Sequence, residues 1–144
     1  MLSSRKLSRE AQKREKITLQ PKENINIGKK ATVTISNYLG GYYYFTADEA
    51  VIGDNKLIIT EAKHSSNSII PSIDDIKDGL IKMILFANLK KAIVQEKEYK
   101  VIPILKLTGT NTNIMTEKKS CILNSLKKEA DANGFFIEHN GGFI

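Results

Sequence analysis

A two-residue turn, Asp54-Asn55, between two β-prone runs constrains this chain more than any other feature. It lies in TADEAVIGDNKLIITEAKH, residues 46–64. Asp and Asn tolerate the positive φ that such a hairpin turn requires. The turn pairs Gly53 with Lys56, and counting outward sets Asp48 opposite Glu61 and Thr46 opposite Lys63. Side chains alternate along a strand, so Asp48, Glu61 and Lys63 share a face with Ala50, Ile52, Leu57 and Ile59. Glu49 falls opposite Thr60, on the other face. A slip by one residue would exchange the two acids, so register decides which of them joins Glu61. Charge on an apolar face is costly unless it is paired or binds a metal. Two carboxylates beside a lysine therefore point to a divalent-metal site for hydrolysis.

Composition narrows the partners. The chain has 144 residues, 41% hydrophobic and 26% charged, which fits one soluble domain, 1–144, with a real core. There is no apolar run of membrane-spanning length and no apolar leader, so the expected setting is the cytoplasm, away from a membrane. A single cysteine, Cys121, excludes an internal disulfide and reads as a small buried helix residue. With only His64 and His139 beside it, no Cys/His zinc cluster can be assembled, whereas oxygen ligands for a hard cation are plentiful. The net charge of +6 is concentrated at one end. Residues 1–30 hold nine Lys/Arg and three acids, and the remainder holds thirteen of each sign. Arg5, Lys6, Arg9, Lys13, Arg14, Lys29 and Lys30 are thus candidate contacts to a polyanion such as DNA.

Residues 3–16 read as a short charged helix with a thin apolar stripe. Ala31 to Ser36 is an alternating, β-branched strand. Tyr42 to Ile52 and Lys56 to His64 form the hairpin. Within it Tyr42, Tyr43 and Tyr44 read as core and cross-strand packing in preference to base stacking. His64 falls on the face opposite Lys63. A helix starts at Ser72, a good N-cap, with Asp74 and Asp75 in its first turn, and runs to about Leu89. Its apolar stripe is Ile73, Ile76, Leu80, Ile84 and Ala87, widened by Ile81 and Leu85, with Gly79 a mild penalty. Tyr99 to Leu107 is a strand in which Pro103 argues for an edge or a bulge. Thr116 to Asn133 is a helix capped by Gly134, and Phe135 to Glu138 a short final strand. The order is α-β-β-β-α-β, then α and β, and the expected architecture is one mixed sheet flanked by helices.

These residues resemble the PD-(D/E)xK nucleases, in particular the catalytic part of type II restriction endonucleases. The resemblance rests on Asp48 at the start of the hairpin signature, on Glu61-Ala62-Lys63 at the end of the next strand, and on the α-β-β-β-α-β order. ITEAKHS followed by PSIDDIKDGLIKMILFANL adds an overall likeness, and the whole covers roughly residues 3–107. Ala47 stands where the family's name has proline. The resemblance implies an α/β, restriction-endonuclease-like fold and Mg²⁺-dependent hydrolysis of DNA phosphodiester bonds, with Mn²⁺ as a substitute. Asp48, Glu61 and the backbone carbonyl of Ala62 would hold the metal. Lys63 would orient or help deprotonate the attacking water and offset charge on the phosphate. Glu10 and Glu15 are candidates for the acid that many members draw from the first helix.

A chain of this length leaves little room for a separate recognition domain. A homodimer, or a catalytic subunit beside a larger recognition subunit, is the expected assembly. Two other readings use the same residues. One is a structure-selective nuclease, such as a Holliday-junction resolvase or repair nuclease. The other is an inactive DNA-binding or assembly module on a nuclease fold.

Overall fold

The computed structural model describes residues 31–36, 38–89, 92–94, 96–110 and 115–144. The basic segment 1–30, with its expected helix and with Glu10 and Glu15, lies outside them. The described chain runs β1 (Ala31–Ser36), β2 (Tyr42–Ala47), β3 (Glu49–Gly53), β4 (Lys56–Ser65), α1 (Ile73–Ala87), β5 (Ala92–Val94), β6 (Lys97–Gly109), α2 (Glu117–Asn133), β7 (Phe136–His139) and β8 (Gly142–Phe143). It is a mixed α/β fold.

The turn behaves as its residues dictate. Asp54 and Asn55 take φ of 42° and 61°, and Gly53 pairs with Lys56, Ala50 with Ile59 and Glu49 with Thr60. The longer hairpin is interrupted, however. The β3–β4 ladder ends at Glu49–Thr60, and β2 pairs instead with β1, Thr46 lying opposite Thr32 rather than Lys63. The single sheet expected from the sequence is therefore two. A two-stranded β1–β2 sheet stands apart from a larger one of order β3-β4-β6-β7-β8, to which β5 adds by pairing with β6. Asp48 is the break. Its N–H donates to the Thr60 carbonyl, and its carboxylate accepts from the Ala62 N–H at 2.9 Å. A side chain thus takes the place of the next ladder bond on β4, and β2 is released to another partner.

In the larger sheet β4 and β6 are parallel, as are β6 and β7, while β3 and β8 run antiparallel to their neighbours. Parallel neighbours need crossovers, and these contain α1, between β4 and β6, and α2, between β6 and β7. Leu57, Ile59, Leu105, Leu107 and Ile137 alternate onto the face beneath the helices and are buried. On the other face Ile58, Ile102, Ile104, Phe136 and Phe143 line a shallow apolar groove. Pro103 is fully buried and pairs with Ile59 in β6, a strand flanked by β4 and β7 rather than an edge. The β6–β7 ladder starts only at Ile104, so the proline sits just before the stretch where its missing N–H would break that ladder.

Ser72 and Gly134 cap their helices as the sequence suggests, and Thr116 adds an N-cap to α2. Ser72 Oγ accepts from the Asp75 N–H at 3.2 Å, Thr116 Oγ1 accepts from the Lys119 N–H at 3.3 Å, and Gly134 closes α2 at φ 76°. The buried face of α1 is rotated from the expected stripe. Ile76, Gly79, Met83 and Phe86 are buried, whereas Ile73, Ile81 and Ile84 are exposed. Apolar residues surround much of this helix, so close approach selects the face. A Cβ on Gly79 would lie 2.7 Å from Leu105 Cδ1 and 3.5 Å from Lys63 Cε. The glycine is what lets α1 settle over β4 and β6. Two smaller expectations also change. Cys121 is exposed, facing the groove between α1 and α2. Tyr43 and Tyr44 are exposed, so they pack against strand neighbours (Tyr43–Phe45 and Tyr42–Tyr44, each with ring centroids 6.5 Å apart) rather than in the core.

Candidate functional site

The C-terminal half of β4 carries the site. Strand alternation that buries Leu57 and Ile59 also turns Glu61 and Lys63 toward α1, while Ala62 and His64 are exposed. Glu61 is only 3% exposed. A carboxylate at that depth needs positive charge and hydrogen bonds around it, and two lysines supply them. Lys63 Nζ lies 3.3 Å from Glu61 Oε1. Lys82 Nζ, reaching down from α1, donates to both oxygens of Glu61, at 3.0 and 2.9 Å, and to the Thr46 carbonyl at 2.9 Å. Thr46 belongs to β2, so this ammonium connects three elements.

Lys63 has a second partner on α1. Its ammonium donates to Asp78 Oδ2. That bond, opposed by burial and helped by Glu61, raises the Lys63 pKa above its ordinary 10.5. The same contact lowers the Asp78 pKa below 3.8. Lys63 is therefore held as an ammonium at neutral pH. It is built to donate hydrogen bonds and present charge rather than to take a proton.

Asp48 lies at the site's edge. Among the described residues its carboxylate accepts from the Ala62 N–H, which brings it to the strand position beside Glu61. Its carboxylate and that of Glu61 are donors of the kind a hard divalent cation takes. Among the described residues no group of three or more His, Cys, Asp or Glu side chains gathers as a metal cage. The oxygens of Glu61 already face Lys82. His64 lies on the opposite face, where its Nδ1 is 2.9 Å from Thr108 Oγ1.

Sequence reasoning missed Lys82 and Asp78. They are four residues apart on α1, hence on one side of the helix and one turn apart, immediately around Gly79. The glycine, a spot where the helix touches the sheet, is the signal that would have pointed to its neighbours. The basic candidates Arg5, Lys6, Arg9, Lys13, Arg14, Lys29 and Lys30 lie outside the described residues. Comparison with protein-family models, curated proteins and solved structures finds no match. No helix among the described residues is long and apolar enough to cross a membrane.

Proposed function

We propose that this chain is a Mg²⁺-dependent DNA endonuclease of the PD-(D/E)xK kind, similar to the catalytic part of a type II restriction enzyme. One observation carries the reading. Strand alternation along β4 sets a buried Glu61 beside Lys63, with the Asp48 carboxylate on the amide of Ala62 between them. The antiparallel β3–β4 pair followed by a helical crossover to a parallel β6 is in keeping with a restriction-endonuclease-like core.

Asp48, Glu61 and the Ala62 carbonyl are the residues that would hold the metal. When bound, Mg²⁺ supplies positive charge to the scissile phosphate and lowers the pKa of the attacking water. Lys63, kept protonated by Asp78 and Glu61, donates a hydrogen bond to a phosphoryl oxygen and offsets the charge that develops there. Burial of Glu61 beneath α1 fixes the carboxylate before substrate arrives. The basic segment 1–30 supplies sequence-independent attraction to the DNA backbone. Sequence choice then comes from a second copy or from a larger recognition subunit.

A second reading, an inactive DNA-binding or assembly module, is favoured by one fact: Lys82 holds both oxygens of Glu61. The test is incubation of the purified chain with Mg²⁺ or Mn²⁺ and a mixture of plasmid and branched DNA. Discrete plasmid fragments support the restriction-type reading, and selective resolution of junctions supports a structure-selective nuclease. Lys63→Ala is expected to bind DNA normally and to lose most cleavage. DNA binding with no metal-dependent cutting by the wild-type chain would leave the inactive module standing.

A further inference from the structure

We infer that the Lys82 ammonium occupies the cation position of the Glu61 site and must withdraw before a divalent metal can bind there. The inference rests on the proposed nuclease reading in taking Glu61 as a metal ligand. It adds that the chain carries its own competitor for that metal.

The geometry supplies the argument. Lys82 Nζ takes two carboxylate oxygens and one backbone carbonyl, from Glu61 and Thr46. These three hydrogen bonds use the ammonium's three donors. Carboxylate and carbonyl oxygens are also what a hard divalent cation takes as ligands. Glu61 is 3% exposed, and Lys82 takes both of its oxygens while Lys63 lies against Oε1. A metal held by Asp48, Glu61 and the Ala62 carbonyl shares Glu61 with this ammonium, so it must displace Lys82 from those oxygens to bind.

The two lysines are not equivalent in this exchange. Lys63 has its own anchor in Asp78, and its distance to Glu61, 3.3 Å, is the longer of the two. Lys82 has its carboxylate partner in Glu61, on a flexible four-carbon stem whose side chain is 25% exposed. Lys82 is thus free to swing outward from α1 while Lys63 stays in place. Without metal, Lys82 keeps the buried carboxylate neutralised and ties β2 to β4. With metal, it is released, and the strength of its hold sets the metal concentration at which the site loads.

The experiment is calorimetric titration of Mn²⁺ into the full chain and into Lys82→Met, Lys82→Arg and Glu61→Gln, with circular dichroism confirming each fold. Lys82→Met is expected to bind Mn²⁺ at least about tenfold more tightly, the equivalent of removing one charge-assisted hydrogen bond. Lys82→Arg, which keeps the charge, is expected to bind no more tightly than wild type, and Glu61→Gln most weakly. If Lys82→Met binds no more tightly while Glu61→Gln loses binding, the competition is wrong and Glu61 remains a metal ligand. If none of the proteins binds Mn²⁺, both the competition and the metal role of Glu61 fall. Should Lys82→Met fail to fold, amine labelling of the wild type read by mass spectrometry decides. Saturating Mn²⁺ is expected to raise Lys82 modification several-fold and leave Lys63 unchanged; constant Lys82 labelling overturns the inference.

Discussion

Gly79→Ala tests the packing that holds the site together. Alanine is the better helix former by about 0.8–1.0 kcal/mol, and Gly79 lies mid-helix, so propensity alone predicts stabilisation. The close approach predicts the reverse. The new Cβ would meet Leu105 Cδ1 at 2.7 Å, closer than two carbons can sit. Leu105 is fully buried and can yield only by disturbing its neighbours. Inserting a methyl into such packing costs roughly 1–3 kcal/mol. Set against the helix gain, the net is a destabilisation of about 1 kcal/mol, or about 2–4 °C in melting temperature for a chain of this size. Urea unfolding of both proteins, with equal m-values, measures it. A double-mutant cycle sharpens the test. In a Leu105→Ala background the obstructing atom is gone, so Gly79→Ala should stabilise by about the helix-propensity difference. Stabilisation in the wild-type background by that same amount would refute the claim that buried Leu105 cannot turn aside.

Three further expectations concern the charged cluster, the cap of α1 and the basic segment. Asp78→Asn removes the leading cause of the raised Lys63 pKa, so on the proposed nuclease reading the alkaline fall in DNA cleavage should move to lower pH; an unmoved limb in a pH–rate profile would detach Asp78 from Lys63. The pair's stability contribution has two limits with opposite signs. It is complete below Lys63's ordinary 10.5 and fades as pH rises through the raised folded value, and complete above Asp78's 3.8 and fades as pH falls through the lowered one; Asp78→Asn should flatten both limbs of a stability–pH curve. Ser72→Ala deletes the N-cap of α1 and should cost about 1 kcal/mol in urea unfolding. Deleting residues 1–16 removes six basic and two acidic residues, which on the proposed reading should weaken binding to all DNA sequences alike and flatten the salt dependence, by about 0.9 in log–log slope for each phosphate no longer neutralised. An unchanged slope in a protein with intact circular dichroism would assign that segment another role.

What the sequence disclosed was local. The register of β3 on β4 followed from Asp54-Asn55 because a two-residue turn leaves no freedom, and the start of α1 and the end of α2 followed from Ser72 and Gly134 because caps act within a few residues. The choice of partner strand was not local. Nothing near Tyr42 says that β2 will leave β4 for β1, because the cause is a hydrogen bond from an amide fourteen positions away to the Asp48 side chain. Helix rotation escaped for a related reason. With Ile73, Ile81 and Ile84 competing against Met83 and Phe86, periodicity does not choose a face, and the tight fit at Gly79 does. Two members of the charged cluster, Glu61 and Lys63, stood together in an E-x-K triplet. The other two, Asp78 and Lys82, belong to the next helix and join them only through the crossover.

The break at Asp48 also gives the β1–β2 hairpin its own place against the core. Its strands of six residues span about 20 Å at the usual rise, ending at an exposed tip that includes Tyr38 and Leu39. Its root holds Thr46, whose carbonyl rests on the same ammonium as Glu61. Ala31, Val33 and Ala47 are buried in the same core as Leu57 and Ile59, so the hairpin is seated along that face and Thr46 is held where its carbonyl meets Lys82. Apolar packing along one face of the hairpin thus fixes one of the three oxygens around the Lys82 ammonium.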